Sequence, residues 1–577
     1  MGKLLAFLKG YEKESVLGPL FKLLEATLEL FVPLVVASLI DIGIANRDMG
    51  YVIKMFLILV ALGGIGLAFS LTAQFFAAKA AVGFVKKIKH ALFGHMEQLS
   101  YTEMDQLGTS VMVNRMTSDM NQIQSGMNMS LRLLLRSPFV VAGAFFMAWT
   151  IDGKAAKIFG ITILVLTVIV YGIMWITIPL YRKVQQKLDS VLATTRENLV
   201  GVRVIRAFGL EEEEKKEFIQ KHGQLTESQK FVGSISALMN PMTYVVVNIG
   251  IAVLIWQGAL QVEYGVLTQG AVVALYNYMT QILEELVKLA NMIVLLTKMV
   301  ASGNRVQAVL EMESSQSYPK VTKEEKREDM PHVVFDNVSL KYKGAGEESL
   351  SNISFEVKKG QVVGVIGGTG CGKTSLVNLI PRFYDATQGK VWVDGRKVED
   401  YRKEDIRQLV GVVPQKAVLF KGTIRENLYW GKQGADEKQL WEALEIAQAK
   451  EIVEKKTEKL EFEIAQNGRN LSGGQRQRLT IARALVKKPE ILILDDSASA
   501  LDYATDAKLR KALRNMKDAP TIFIVSQRTV SIQHADVILV LDDGKMVGMG
   551  THEDLLDSCE TYREIYASQF KKEVANS

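Results

Sequence analysis

Nine residues, Gly367-Gly-Thr-Gly-Cys-Gly-Lys-Thr-Ser375, follow directly on the apolar run Gln361-Val-Val-Gly-Val-Ile366. Strand, glycine loop and helix start, in that order, make a phosphate-binding loop. The glycines let backbone N–H groups face phosphate oxygens, and the helix N-terminus adds a positive dipole. Gly367, Thr369, Gly370, Cys371, Gly372 and Ser375 are candidate contacts to a nucleoside triphosphate. Lys373 should reach its outer phosphates, and Thr374 should ligate Mg²⁺. A second apolar run, Ile491 to Leu494, ends in Asp495. A carboxylate at the end of a buried strand is the complementary Mg²⁺ ligand beside a phosphate loop.

The elements that must position these residues differ along the chain. A length of 577 residues predicts two or more domains. Six apolar stretches, roughly 17–43, 52–80, 133–152, 156–181, 233–260 and 269–300, each reach the ~20 residues a membrane-crossing helix needs. The segments between spans two and three and between four and five are rich in Lys and Arg, including Lys86, Lys87, Arg132, Arg136 at the start of span three, Arg182, Lys183 and Arg206, whereas the opposite loops carry few. The positive-inside rule puts those long segments and both termini in the cytoplasm. Their three- and four-residue apolar spacing predicts membrane helices that continue into the cytoplasm. A polar stretch at 311–331 reads as a linker.

From His332 onward the pattern is α/β. Val333 to Tyr342 alternates like a strand, and Gln361 to Ile366, Ile491 to Leu494 and Thr521 to Val525 read as buried parallel strands. The expected architecture is an all-α six-helix transmembrane domain (1–310) fused to an α/β P-loop nucleotide-binding domain (332–577). A net charge of +6 without a basic stripe argues against a nucleic-acid partner. Two cysteines, Cys371 and Cys559, exclude a disulfide framework. Met1 to Gly10 shows no pattern of a removable signal peptide.

Leu471-Ser472-Gly473-Gly474-Gln475 resembles the signature motif of ATP-binding cassette transporters. Gln415 resembles the family's Q-loop, Ser499 to Asp502 its D-loop, and Tyr342 the aromatic residue that stacks on adenine. Leu99 to Asp105 and Glu197 to Gly209 resemble the intracellular loops of half-size exporters of that family. The resemblance spans essentially the whole chain. It implies that two cassettes meet head to tail, with ATP between the phosphate loop of one and the signature of the other. It also implies that Gln415 contacts both nucleotide and Mg²⁺, and that short helices near Thr117–Met120 and Ala207–Glu211 couple the membrane part to the cassettes.

Two positions depart from the family. Asp496 stands where a glutamate usually polarises the attacking water, and its carboxylate is one methylene shorter. Gln527 stands where a histidine usually contacts the γ-phosphate; an amide can donate a hydrogen bond but carries no proton or charge. Both departures fall on hydrolytic positions, while the ATP-holding positions match. The expectation is therefore a heterodimer, whose second half-transporter supplies the competent chemistry. A catalytically active homodimer and an ATP-gated, channel-like protein are the alternatives. The resemblance implies an integral protein of a bacterial inner membrane, in contact with lipid and moving a small-molecule or lipid-like cargo. Glu25, Glu29, Glu284, Glu285 and Lys288 are intramembrane charges and so functional suspects. Met174, Trp175, Tyr244, Trp256, Tyr276 and Met279 could line an apolar cavity.

Overall fold

A computed structural model describes residues 1–323, 326–497 and 500–570. The chain divides into two compact units, one of Met1–Glu97 with Thr109–Met312, the other of Gln98–Gly108 with Glu313 onward.

Six helical runs in the first unit are long and apolar enough to cross a membrane: Glu12–Ile44, Met49–Met96, Thr109–Ile151, Gly153–Phe208, Glu211–Glu263 and Gln269–Leu310. The fourth is a single helix of 56 residues. At about 1.5 Å per residue it is roughly 84 Å long, nearly three times the hydrocarbon core of a bilayer. The helix continues where the apolar span stops, as the spacing predicted. Asp152 alone separates it from the preceding helix Arg136–Ile151, and its carboxylate caps the new helix by accepting from the Ala155 N–H at 2.8 Å.

Small residues bring the helices together. On Met49–Met96, Ala73, Ala77, Ala80 and Ala81 are fully buried. A Cβ on Gly83 of the same helix would lie 2.1 Å from the Tyr11 ring, so only glycine fits there. The opposite face of that helix exposes Phe56, Leu57, Val60, Leu67, Leu71 and Phe75. An apolar face of this kind suits lipid rather than water. The core of the bundle gathers Ala26, Leu30, Phe159, Leu166, Tyr278, Met279 and Ile282.

One polar cluster interrupts this core. Arg136, which the sequence reading placed among loop charges, is 6 % exposed and pairs with the buried Glu285 and, at 2.6 Å, with Glu29. Ser137 donates to Glu285 at 2.7 Å, and Lys288 reaches Glu285 at 2.9 Å. Glu25 pairs with Lys22 at 2.5 Å. The suspected intramembrane carboxylates are thus held by cations from other turns and other helices. The expected coupler at Thr117–Met120 belongs to this unit: Asp119 is buried and paired with Arg115 and Arg305, while Thr117 and Ser118 are exposed.

The cassette unit contains twelve described strands. They are β1 (Val333–Leu340), β2 (Leu350–Val357), β3 (Val362–Gly367), β4 (Gln388–Val393), β5 (Arg396–Lys397), β6 (Val410–Val413), β7 (Gly422–Thr423), β8 (Glu463–Ile464), β9 (Ile491–Asp495), β10 (Thr521–Val525), β11 (Val537–Asp542) and β12 (Lys545–Gly550). One sheet has the order β12-β11-β3-β10-β9-β6, parallel except at β12; another, antiparallel, has the order β2-β1-β4-β5. Every residue of β3, β9 and β10 is buried, which explains their unbroken apolar runs.

Two segments from outside the α/β core belong to this unit. Within the stretch expected as a linker, residues 324–325 lie outside the described residues; Tyr318 donates to the Arg382 carbonyl at 3.2 Å beneath the Arg382 guanidinium, and Arg327 N–H donates to the Gly395 carbonyl at 3.0 Å. The helix Tyr101–Leu107 packs Tyr101 on Phe383 with ring centroids 4.8 Å apart, and Tyr384 donates to Asp105 at 2.6 Å. Burial would raise the Glu103 pKa, but hydrogen bonds from Ser100 and Ser315 outweigh it and hold the carboxyl below its usual range.

Removing one partner from the Arg136 cluster should be severe. Arg136→Met leaves the buried Glu285 with Lys288 as its one remaining cation among the described residues and should lower the stability of the detergent-solubilised protein by about 3–5 kcal/mol. Arg136→Met combined with Glu285→Leu should lose much less, read as thermal unfolding temperatures of the three proteins.

Candidate nucleotide site

The register of three strands builds the site. Val525 of β10 pairs with Val365 of β3 on one side and with Asp495 of β9 on the other. The phosphate loop, the strand-end carboxylate and the turn after β10 therefore emerge together at the carboxyl ends of parallel strands, where open α/β sheets bind ligands.

A cavity of about 230 Å³ lies there, lined by Thr369, Gly370, Gly372, Lys373, Thr374, Ser375, Gln415, Asp495, Asp496 and Gln527, with Ser349, Val525 and Ser526. The first ten are sequence-predicted site residues. Ser349 and Ser526 carried no spacing signal, although Ser526 directly precedes Gln527.

The loop is locally dictated. Gly372 has φ +93 and caps the helix Lys373–Leu379; a Cβ there would lie 2.5 Å from the Ser349 carbonyl. Lys373 Nζ curls back onto the loop and donates to the carbonyls of Gly367 at 3.0 Å and Gly368 at 2.5 Å. Cys371 is buried, its Sγ 3.6 Å from the same ammonium. The Lys373 ammonium is thus held by the loop's own carbonyls at the cavity wall.

Thr374 and Asp495 converge. The Thr374 hydroxyl lies 3.1 Å from each Asp495 carboxylate oxygen. Burial pushes the Asp495 pKa up, and the neighbouring Asp496 adds to the effect, against Thr374 and Lys373. A buried carboxylate with a second carboxylate beside it is a site that wants a cation. Hard oxygen donors from a hydroxyl and an acid fit Mg²⁺. Gln415 Nε2 is 3.4 Å from an Asp496 oxygen. Asp496 itself has φ 45, a left-handed backbone that Asp tolerates, and its N–H donates to the Val525 carbonyl at 2.9 Å.

Other predicted residues lie outside the cavity lining. Tyr342 donates to Ser375 at 2.9 Å and meets Tyr384 edge-on at 5.0 Å. The signature opens the helix Gly473–Val486: Ser472 and Gln475 form a reciprocal capping box, and a Cβ on Gly473 would meet nothing within 4 Å. None of Ser472, Gly473, Gly474 and Gln475 lines the cavity. Asp502 caps the helix Tyr503–Arg514, accepting from Thr505 N–H at 2.8 Å. Ser499 of the expected D-loop lies outside the described residues.

A phosphate loop facing a strand-end carboxylate, in a chain with six membrane-length helices, defines an integral membrane protein with a P-loop nucleotide-binding domain. Residues 15–286 match the ABC transporter transmembrane region, and residues 350–499 match the ABC transporter family. The chain is 34% identical over 577 residues, 100% of each chain, to the uncharacterized ABC transporter ATP-binding protein YfiB of Bacillus subtilis (strain 168). It is 30% identical over 504 residues, 85% of this chain and 81% of the other, to an ATP-dependent lipid A-core flippase of Syntrophus aciditrophicus (strain SB). The chain belongs to the ABC transporter family. Its fold matches that of a bacterial Atm1-family ABC exporter with ATP bound, at a TM-score of 0.82 and 24% identity, covering 97% of this chain and 99% of that one.

Because the Lys373 ammonium supplies a full charge to the loop, Lys373→Met should weaken ATP binding at least tenfold, about 1.4 kcal/mol. Thr374→Ala should weaken it only when Mg²⁺ is present. Equilibrium binding of a fluorescent ATP analogue to the solubilised chain, with and without Mg²⁺, checks both.

Proposed function

We propose that this chain is one half of an ATP-driven exporter that moves amphipathic or drug-like cargo out of the cytoplasm across a bacterial inner membrane, and that it works beside a different half-transporter. Its own site holds ATP and hydrolyses it slowly. Its signature, Ser472 to Gln475, completes the competent site on the partner. The transmembrane domain spans 1–310, the connection 311–331 and the cassette 332–577.

The observation that carries this reading is the placement of Asp496 and Gln527 on the same cavity wall as Thr374 and Asp495. Both departures from the family pattern fall at the phosphate end of one site, whose binding groups are otherwise complete. Lys373 and the loop N–H groups bind and orient the phosphates. Thr374, Asp495 and Gln415 would hold Mg²⁺, which screens the phosphate charge when bound. Tyr342 stacks on the adenine. Asp496 must position the water and draw off its proton, a task worth roughly 10²–10⁴ in rate. Its short side chain keeps the charge but shortens the reach. Gln527 donates from its amide without supplying positive charge. The signature lies outside the cavity lining, as expected of a group that serves another chain's nucleotide.

Trp175, Trp256, Tyr244 and Tyr276 are exposed on the helical unit and can face amphipathic cargo, whereas Met174 and Met279 pack inside it. The similarity to a lipid flippase favours a lipid-like cargo.

Purified alone, the chain should bind ATP yet turn it over slowly. Asp496→Glu combined with Gln527→His should raise its turnover about 10–100-fold. Brisk hydrolysis by a homodimer, abolished by Asp496→Asn, would overturn the two-partner reading.

A further inference from the structure

Three side chains from separate parts of the cassette unit converge outside the nucleotide cavity. His332 precedes β1, Asp394 sits in the turn between β4 and β5, and Glu490 precedes β9. One ligand atom from each lies within 4.8 Å of the others, the one such group of His, Cys, Asp and Glu among the described residues. The backbone holds them in register: Asp394 N–H donates to the His332 carbonyl at 2.7 Å, and Thr521 N–H donates to the Glu490 carbonyl at 2.9 Å.

The histidine supplies the second observation. His332 is 4 % exposed. Its Nδ1 lies 2.7 Å from the Thr521 hydroxyl, which also accepts the Gly360 N–H at 2.9 Å. Its Nε2 is buried, faces the carboxylates and has no hydrogen-bond partner; the Glu490 oxygen is 3.8 Å away. An orphaned ring nitrogen in the interior is uncommon and points to a missing ligand.

We propose that His332, Asp394 and Glu490 bind a divalent transition-metal ion of the Zn²⁺ class. One imidazole nitrogen and two carboxylates are a ligand set that such ions accept, with a fourth position left to water. Thr521 takes the Nδ1–H and fixes the ring, the usual outer partner of a ligating histidine. Charge balance also fits. With a neutral imidazole the set carries two negative charges. These are now met by two ammonium groups, Lys326 on Asp394 and Lys359 on Glu490, each at 2.7 Å. Both lysine side chains are solvent-facing, 39 % and 67 % exposed, and can swing away. One dication replaces both charges and gives Nε2 a partner, which neither lysine does. Zn²⁺ bonds of about 2.0–2.1 Å require ligand atoms about 3.3 Å apart, so the widest pair must close by roughly 1.5 Å. Rotation of the partly exposed Asp394 and Glu490 side chains can supply this. Mg²⁺ is a poor competitor, because it prefers an all-oxygen shell. The bound ion would clamp the antiparallel sheet to the start of β9, the strand whose far end carries Asp495.

The full chain, purified in detergent with a tag free of histidine, should be titrated with Co²⁺ in excess Mg²⁺. One Co²⁺ per chain should bind with visible ligand-field absorption. His332→Gln and Asp394→Asn should each weaken binding at least tenfold. Asp394 has φ 48, which Asn also tolerates, so that variant decides the matter should His332→Gln fail to fold. Lys326→Gln with Lys359→Gln should tighten binding by removing the competing ammonium groups. Absence of Co²⁺ binding, equal affinity in wild type and Asp394→Asn, or no tightening in the double lysine variant would overturn the proposal.

Discussion

Parallel alignment of β3, β10 and β9 is the constraint on which the cassette depends. Each strand is buried along its whole length, so none of the three can slide by one residue without turning an apolar set toward the wrong layer. That fixed register delivers Gly367, Asp495 and Ser526 to the same edge. The site then needs only short elements: a glycine loop folded on its own lysine, a threonine leaning on an aspartate, and a turn carrying Gln527. Asp496 and Gln527 stand at this same edge.

The helical unit obeys a different constraint. Lipid offers no hydrogen-bond partner, so every buried charge must be answered from within the bundle. Arg136 does this for two carboxylates on two other helices, Glu29 and Glu285. Around it, alanines and Gly83 let helices approach closely, and the outward faces keep their large apolar side chains. The cluster ties three helices at one depth of the bundle. It holds packing together through charge satisfaction rather than through additional apolar area.

Much of this was legible in the chain. Six apolar spans gave six membrane-length helices, and the apolar runs at 362–367, 491–495 and 521–525 gave the central strands. The phosphate loop, Asp495, Gln415, Asp496 and Gln527 came together in one cavity because each lies at or beside a strand end, a position that local pattern marks. Tyr101–Leu107 falls in the cassette unit, whereas Thr117–Met120 falls in the helical one, with Asp119 buried and Thr117 and Ser118 exposed. Tyr384 and Ser349 were invisible, since neither has chemistry or spacing that separates it from an ordinary loop residue.

The sequence by itself determined the class of machine and which residues come together in the phosphate-loop cavity. These depend on residue type and short spacing, which survive without knowledge of the fold. Tertiary structure decided the partners of the buried charges. Arg136 and Glu285 are 149 residues apart in the chain. His332, Asp394 and Glu490 belong to three different strand connections. No periodicity links such residues, because packing of whole elements sets the distance between them. In isolation each is an unremarkable ionisable side chain; in the fold they become a membrane-buried ion cluster and a candidate metal site.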